Sequence, residues 1–255
     1  MRLSTVSFRY TRRGPWILRD VDLDVQPGEV LEVTGRNGAG KSTFLRLLAG
    51  VLRPTAGSIT GRPARVGFAP ETFPAGQPFT AAAYLAAMAR VRRVSGHGDW
   101  ADRLGLTPLL DRPLGELSKG SAHKVGLLQA LLGPAEDRLL ILDEPFAGLD
   151  ERARGELAMI VAEVAAAGGV VVVSDHQGDL REVTARRTLT VADTMVTAGA
   201  AGEPEEPLAV VEVVAAATAA AELAARLRAD GHQVRVRPAT AALPEAAETK
   251  EGPRV

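Results

Sequence analysis

The 255-residue chain contains no cysteine, which excludes disulfides, thiolate nucleophiles, iron–sulfur clusters and cysteine-type zinc sites. Its four histidines are too scattered for an HxxxH pair, so a metal hydrolase of that pattern is not expected. Aromatic residues make up only 4%, leaving the core to Leu, Val, Ile and Ala. Neither charge sign dominates: 30 Lys and Arg stand against 31 Asp and Glu, a formal net charge of −1. Nothing in that balance points to nucleic acid or to a polybasic membrane-surface protein. Long apolar runs are also missing. The longest uncharged stretch, residues 72–89, is interrupted by Pro74, Gly76, Gln77 and Pro78, and the Ala-rich stretch at 213–225 contains Glu222. The N-terminus reaches Arg9, Arg12 and Arg13 with no apolar segment before them. Neither a membrane span nor a signal peptide is expected, which predicts a cytoplasmic chain whose membrane role, if any, runs through a partner.

What remains, 46% hydrophobic and 24% charged, is the composition of an ordinary globular chain. Its length suits one large domain, or one domain with an appendage. The first 34 residues predict strands: Leu3, Val6 and Phe8 alternate partly, Val21, Leu23 and Val25 strictly, and the run 29–33 ends at a glycine. From Lys41 the period becomes helical and stops at Gly50. Two short strands follow around Gly61. Helical segments are predicted over 80–94, more weakly up to Leu110, and over 121–132. Residues 139–142 and 170–173 are wholly apolar, as strands buried on both faces are. A helix over 151–167 joins them. This alternation predicts an α/β fold with a parallel, doubly wound sheet. Beyond Ala198 the composition shifts. Residues 199–207 read as a linker, 208–242 as a small strand–helix–strand appendage, and 243–255 as a disordered tail.

The sequence Gly35-Arg36-Asn37-Gly38-Ala39-Gly40-Lys41-Ser42-Thr43 fits G-x-x-x-x-G-K-[ST] and lies between a strand and a helix. Glycines let successive backbone N–H groups converge on phosphate oxygens, and the helix N-terminus adds positive potential. Lys41 is expected to reach the β- and γ-phosphates and the Ser42 hydroxyl to ligate Mg²⁺. About 100 residues on, the apolar run of Leu139 to Leu142 delivers Asp143-Glu144 at its C-terminal end, where open α/β sheets bind ligands. Asp143 is expected to hold Mg²⁺ through water, and Glu144 to orient or deprotonate the water attacking the γ-phosphate.

With these motifs in place, residues 1–198 resemble the ATP-binding subunit of an ABC transporter: a P-loop NTPase core with an antiparallel β subdomain and a short helical insert at about 72–120. The most discriminating element is Leu117-Ser118-Lys119-Gly120-Ser121, similar to the family signature Leu-Ser-Gly-Gly-Gln and placed about 20 residues before the acidic pair. Lys119 and Ser121 depart from it. A Ser at a helix N-cap would also account for Ser118. The resemblance implies a head-to-tail dimer with ATP between the P-loop of one copy and Ser118 and the Gly120 amide of the other. It further implies that Asp150, after Phe146-Ala147-Gly148-Leu149, contacts the opposite P-loop. By the same likeness, His176 bonds the γ-phosphate and positions water, and Tyr10 stacks on adenine, worth about 1–3 kcal/mol. Glu71 stands where the family usually has Gln. It can still offer an oxygen to Mg²⁺, but it adds negative charge beside the triphosphate.

No further nucleophile or metal cluster accompanies these residues, so the expected reaction is ATP hydrolysis used to move something else. The resemblance implies a separate membrane permease as partner, with the chain peripheral to the inner face of the membrane, and no nucleic acid. The short step from Glu71 to Leu117 resembles small bacterial exporter-type ATPases. On the insert, Phe73, Phe79, Tyr84 and Met88 either meet a permease coupling helix or pack within the insert. Two other readings stay open at this point: a soluble ABC-type ATPase of a non-transport machine, and a non-hydrolysing regulatory scaffold. The short insert and absent cysteine weigh against the first, and intact Lys41, Asp143, Glu144 and His176 against the second.

Overall fold

The computed structural model describes residues 1–94, 96, 99–175, 180, 183, 186–199, 223, 224 and 226. The chain divides into two units, Met1–Glu203 and Pro204–Val255, and every element named below belongs to the first. The predicted appendage is described only at Leu223, Ala224 and Arg226, which are helical. The rest of it, most of the linker and the tail lie outside the described residues.

Two sheets organise the first unit. Strands β1 (Arg2–Phe8), β2 (Leu18–Asp24) and β4 (Ala56–Thr60) form an antiparallel sheet in the order β2-β1-β4. The larger sheet runs β5-β6-β7-β3-β8-β9, with β3 (Val30–Thr34), β5 (Arg65–Ala69), β6 (Arg138–Asp143), β7 (Val170–Ser174), β8 (Arg186–Ala192) and β9 (Met195–Ala198). Every pairing in it is parallel except β8 with β9.

The wholly apolar strands are buried on both faces, as their composition dictates. On β6, Leu140 and Leu142 enter one core while Leu139 and Ile141 enter the other; Val171 and Val173 divide from Val170 and Val172 in the same way on β7. The first core also takes side chains from α4 (Lys119–Leu131), α5 (Glu151–Ala166) and the insert, and the second from α1 (Lys41–Ala49) and the antiparallel sheet. Truncating a fully buried leucine here to alanine removes about 2–5 kcal/mol.

Two arginines, half-buried Arg62 and buried Arg138, close two helices. Arg62 donates to Leu47 O (3.1 Å) and Leu48 O (2.8 Å), covering the C-terminal carbonyls of α1. Arg138, 2% exposed, donates to Ala130 O (2.7 Å) and Leu131 O (3.2 Å) at the end of α4. These carbonyls are the orphaned acceptors that every helix end carries. Burial, helped by Arg92 and Arg65, lowers the Arg138 pKa to about 10.

The insert consists of α2 (Ala81–Arg92), α3 (Trp100–Arg103) and two 3₁₀ turns, Thr107–Leu109 and Leu114–Glu116. Thr80 caps α2 by accepting the Ala83 N–H. Phe73 and Tyr84 pack inside the insert edge to face, with ring centroids 5.3 Å apart, and Met88 is half-buried, whereas Phe79 is 45% exposed. Arg103 fastens α3 to α5 through Glu156 and Glu163, each at 2.8 Å.

Two sequence expectations need correction. Helix α4 begins at Lys119 rather than Ser121, because Ser118 caps it with its Oγ on the Ser121 N–H before the apolar period starts. The main sheet is mixed rather than parallel throughout. The hairpin β8–β9 turns on Asp193 and Thr194, both with positive φ, and adds an antiparallel edge.

Candidate nucleotide site

The loop between β3 and α1 is built on glycines with left-handed backbones: Gly35 (φ 142°), Gly38 (φ 81°) and Gly40 (φ 110°). A Cβ at Gly35 would stand 2.4 Å from Val191 O, so the loop depends on the missing side chain as well as on its conformation. Gly40 caps α1 without any side-chain acceptor, which leaves the first-turn amides to the cleft. Lys41 folds across the loop and donates to Gly35 O at 2.9 Å.

A cleft of about 530 Å³ opens over this loop. Asn37, Gly38, Gly40, Lys41, Ser42 and Thr43 line it from the P-loop, and Tyr10, Glu71 and Glu144 join them from elsewhere in the fold. Gly35 and Ala39 shape the loop without lining the cleft; the Ala39 N–H bonds Arg36 O at 3.1 Å. Tyr10 is 57% exposed. Its hydroxyl lies 2.9 Å from Thr43 Oγ1, and its ring meets Phe8 edge to face. The Thr43 hydroxyl is thereby paired with Tyr10. Ile17 and Ala147 also line the cleft; Ile17 had no motif to announce it, and Ala147 lies in the stretch matched by family likeness before Asp150.

The acidic pair occupies two different environments. Asp143 ends β6 and is 1% exposed. Its Oδ1 accepts the Ser174 hydroxyl at 2.8 Å, while its buried Oδ2 has no protein partner. A buried carboxylate oxygen left so is costly, and a hydrated Mg²⁺ is the partner its chemistry fits. No group of three or more acidic or His side chains able to hold a metal occurs among the described residues, so any Mg²⁺ would share its shell with phosphate oxygens and water, its usual habit. Asp143 and the half-buried Ser42 are the residues that would hold it. Exposed Glu71 lines the same cleft.

Glu144 carries a positive φ of 50°, a strained conformation for a non-glycine residue worth roughly 1–3 kcal/mol. Its N–H donates to Ser174 Oγ at 2.8 Å. Burial pushes its carboxyl up to about 7; Lys41 opposes the rise, and Asp143, Asp175 and Glu71 add to it. Ser174, which holds both members of the acidic pair, was missed as a functional residue. The parallel register sets it directly beside Asp143.

Ser118, Gly120 and Asp150 lie outside this cleft lining. Ser118 caps α4, and a Cβ at Gly120 would come within 2.7 Å of Gly148 O. Asp150 caps α5 through the Ala153 N–H and accepts Lys124 Nζ, both at 2.9 Å. Those two partners hold its carboxyl down to about 2. His123 of α4 is buried and sits 2.9 Å from Pro145 O. His176 lies outside the described residues.

A glycine-rich turn between a strand and a helix, with an acidic pair closing the second strand over, defines the P-loop NTPase fold. The ABC transporter family model matches residues 18–147, just over half of the chain, and the chain belongs to that family. Among its relatives, the zinc import ATP-binding protein ZnuC of Alkalilimnicola ehrlichii is 41% identical over 172 residues, 64% of each chain. The cytochrome c biogenesis ATP-binding export protein CcmA of Aromatoleum aromaticum is 36% identical, covering 63% of this chain and 82% of its own. The chain thus spans just under two thirds of that ZnuC. A solved ATP-binding subunit of an ABC transporter superposes with a TM-score of 0.68 at 27% identity, over 78% of this chain and 88% of the other.

Proposed function

We propose that the chain is a Mg²⁺-dependent ATPase subunit that, paired head to tail with a second copy, powers a separate membrane permease. The observation carrying this reading is the arrangement of Asp143 and Glu144: a buried carboxylate oxygen without a protein partner next to a raised carboxyl facing Lys41. In the reaction, a water oxygen bonds to the γ-phosphorus as the bond to the β–γ bridging oxygen breaks, giving ADP and phosphate. Glu144, with a pKa near the working pH, orients that water and takes its proton. Lys41 and the α1 amides receive the phosphate charge. Bound Mg²⁺ would supply charge neutralisation at the phosphates. Tyr10 offers the purine an aromatic face.

In the pair, Ser118 and Gly120 of one copy would close over the nucleotide held by the other, and hydrolysis would release them. Support for a permease comes from the relatives' names and from the insert, where Phe79 leaves an apolar side chain exposed. No helix among the described residues is long and apolar enough to cross a membrane, so a membrane position would come through that permease. The short insert favours export, while the relatives' names include both import and export. The test is phosphate release from Mg-ATP by the purified protein. Turnover that Glu144→Gln lowers by about 10² or more supports the reading; turnover of the wild type no faster than that of the variant overturns it.

A further inference from the structure

The mechanism leaves one buried titratable group unused. His123 lies one turn into α4, 6% exposed, with Nε2 2.9 Å from Pro145 O. A carbonyl oxygen only accepts, so Nε2 carries the proton. Burial lowers the pKa of this ring below its ordinary value; the bond to Pro145 O opposes that fall, Lys119 adds to it and Glu71 opposes it.

Pro145 directly follows Glu144, the residue with the left-handed backbone. Such a conformation persists only where the surroundings over-determine it. Among the described residues, three bonds contribute: the Glu144 N–H to Ser174 Oγ, the Ala147 N–H to Glu144 O at 3.2 Å, and His123 Nε2–H to Pro145 O. The first fixes the segment to β7 and the second closes its own turn. Among these three, only the His123 bond ties it to α4, the helix that begins at the signature serine. Gly120 against Gly148 and Lys124 on Asp150 extend that contact along the same loop.

We propose that His123 is a positioning residue for hydrolysis, holding the Glu144–Pro145 segment against the signature helix so that the Glu144 carboxyl meets the attacking water. The inference rests on the ATPase reading above. It places the acid of one nucleotide site and the Ser118 corner offered to the other site on a single hydrogen-bonded unit. Loss of the link leaves the P-loop, and with it nucleotide binding, untouched.

The experiment measures kcat, KM and nucleotide affinity for wild type, Glu144→Gln, His123→Ala and His123→Gln, with thermal unfolding of each. A Gln side chain offers an N–H donor the same number of bonds from Cα as His Nε2. His123→Ala is expected to lower kcat about tenfold with Mg-ATP affinity within about twofold, since a misplaced catalytic group costs rate rather than binding. His123→Gln is expected to recover kcat to within about threefold of wild type. Should His123→Ala fail to fold, the folded His123→Gln variant decides: recovery supports the proposal, and a loss of tenfold or more overturns it. An unchanged kcat in folded His123→Ala overturns it, as does a parallel loss of affinity, which marks a purely structural role. A wild type without Glu144-dependent turnover instead overturns the ATPase reading itself, and this inference with it.

Discussion

The Ser174 hydroxyl donates to Asp143 Oδ1 across 2.8 Å, joining the ends of two neighbouring parallel strands. The same oxygen accepts the Glu144 N–H, so a single side chain orients the carboxylate expected at Mg²⁺ and the carboxylate expected at water. Replacing Ser174 by Ala leaves Asp143 Oδ1 and the Glu144 N–H without this partner. The expected outcome is a fall in kcat of about tenfold and a higher Mg²⁺ requirement, with thermal stability reduced by about 1–2 kcal/mol. Phosphate release across a Mg²⁺ titration checks it.

Glu144 also makes a stability prediction. Its folded pKa of about 7 lies above the ordinary 4.5, so the neutral form is favoured in the fold. The stability linked to that proton is fully present below pH 4.5 and is lost as pH rises through 7. Above that, the ionised carboxyl is a cost. Glu144→Gln should therefore raise the melting temperature of the nucleotide-free protein at pH 8 and leave it unchanged at pH 4. Because the group is only half-buried, the gain is about 1 kcal/mol after solvent screening. Thermal melts of both proteins at the two pH values read this directly.

Glu71 bears on both metal and proton. Its negative charge is one of the causes of the raised Glu144 pKa, and it lines the cleft. Substituting Gln removes that charge, so the acidic limb of the rate profile should move to lower pH. ATP binding without Mg²⁺ should tighten, and the Mg²⁺ dependence of hydrolysis should change. A pH–rate profile and Mg²⁺ titration identical to the wild type would exclude the role.

Arg138 tests the scaffold rather than the site. Its guanidinium covers carbonyls at the end of α4 from the first residue of β6. Arg138→Met keeps the bulk and removes the donors. The expected loss is about 2–3 kcal/mol in urea unfolding.

Much of this was legible because the informative residues are local. The Gly-Lys-Ser loop, the run ending at Asp143-Glu144 and the N-cap serine before α4 each declare their structure within a few positions. Alternation in β6 and β7 could not be read, since both faces are buried and the runs 139–142 and 170–173 are wholly apolar. What stayed hidden depends on distant neighbours. Arg138 looks like a surface residue until α4 packs over it; Ser174 gains its role from the register of β7 with β6; His123 from contact with Pro145. The β8–β9 hairpin carries a local signal in Leu189, Val191 and the turn at Asp193-Thr194. Asp150, matched by family likeness to the opposite P-loop, is engaged within its own chain as the cap of α5.

The central functional claim is that two copies clasp Mg-ATP. Sedimentation velocity on Glu144→Gln, with and without saturating Mg-ATP, tests it most directly. The account predicts a dimer with Mg-ATP and a monomer without; a monomer under both conditions would contradict it.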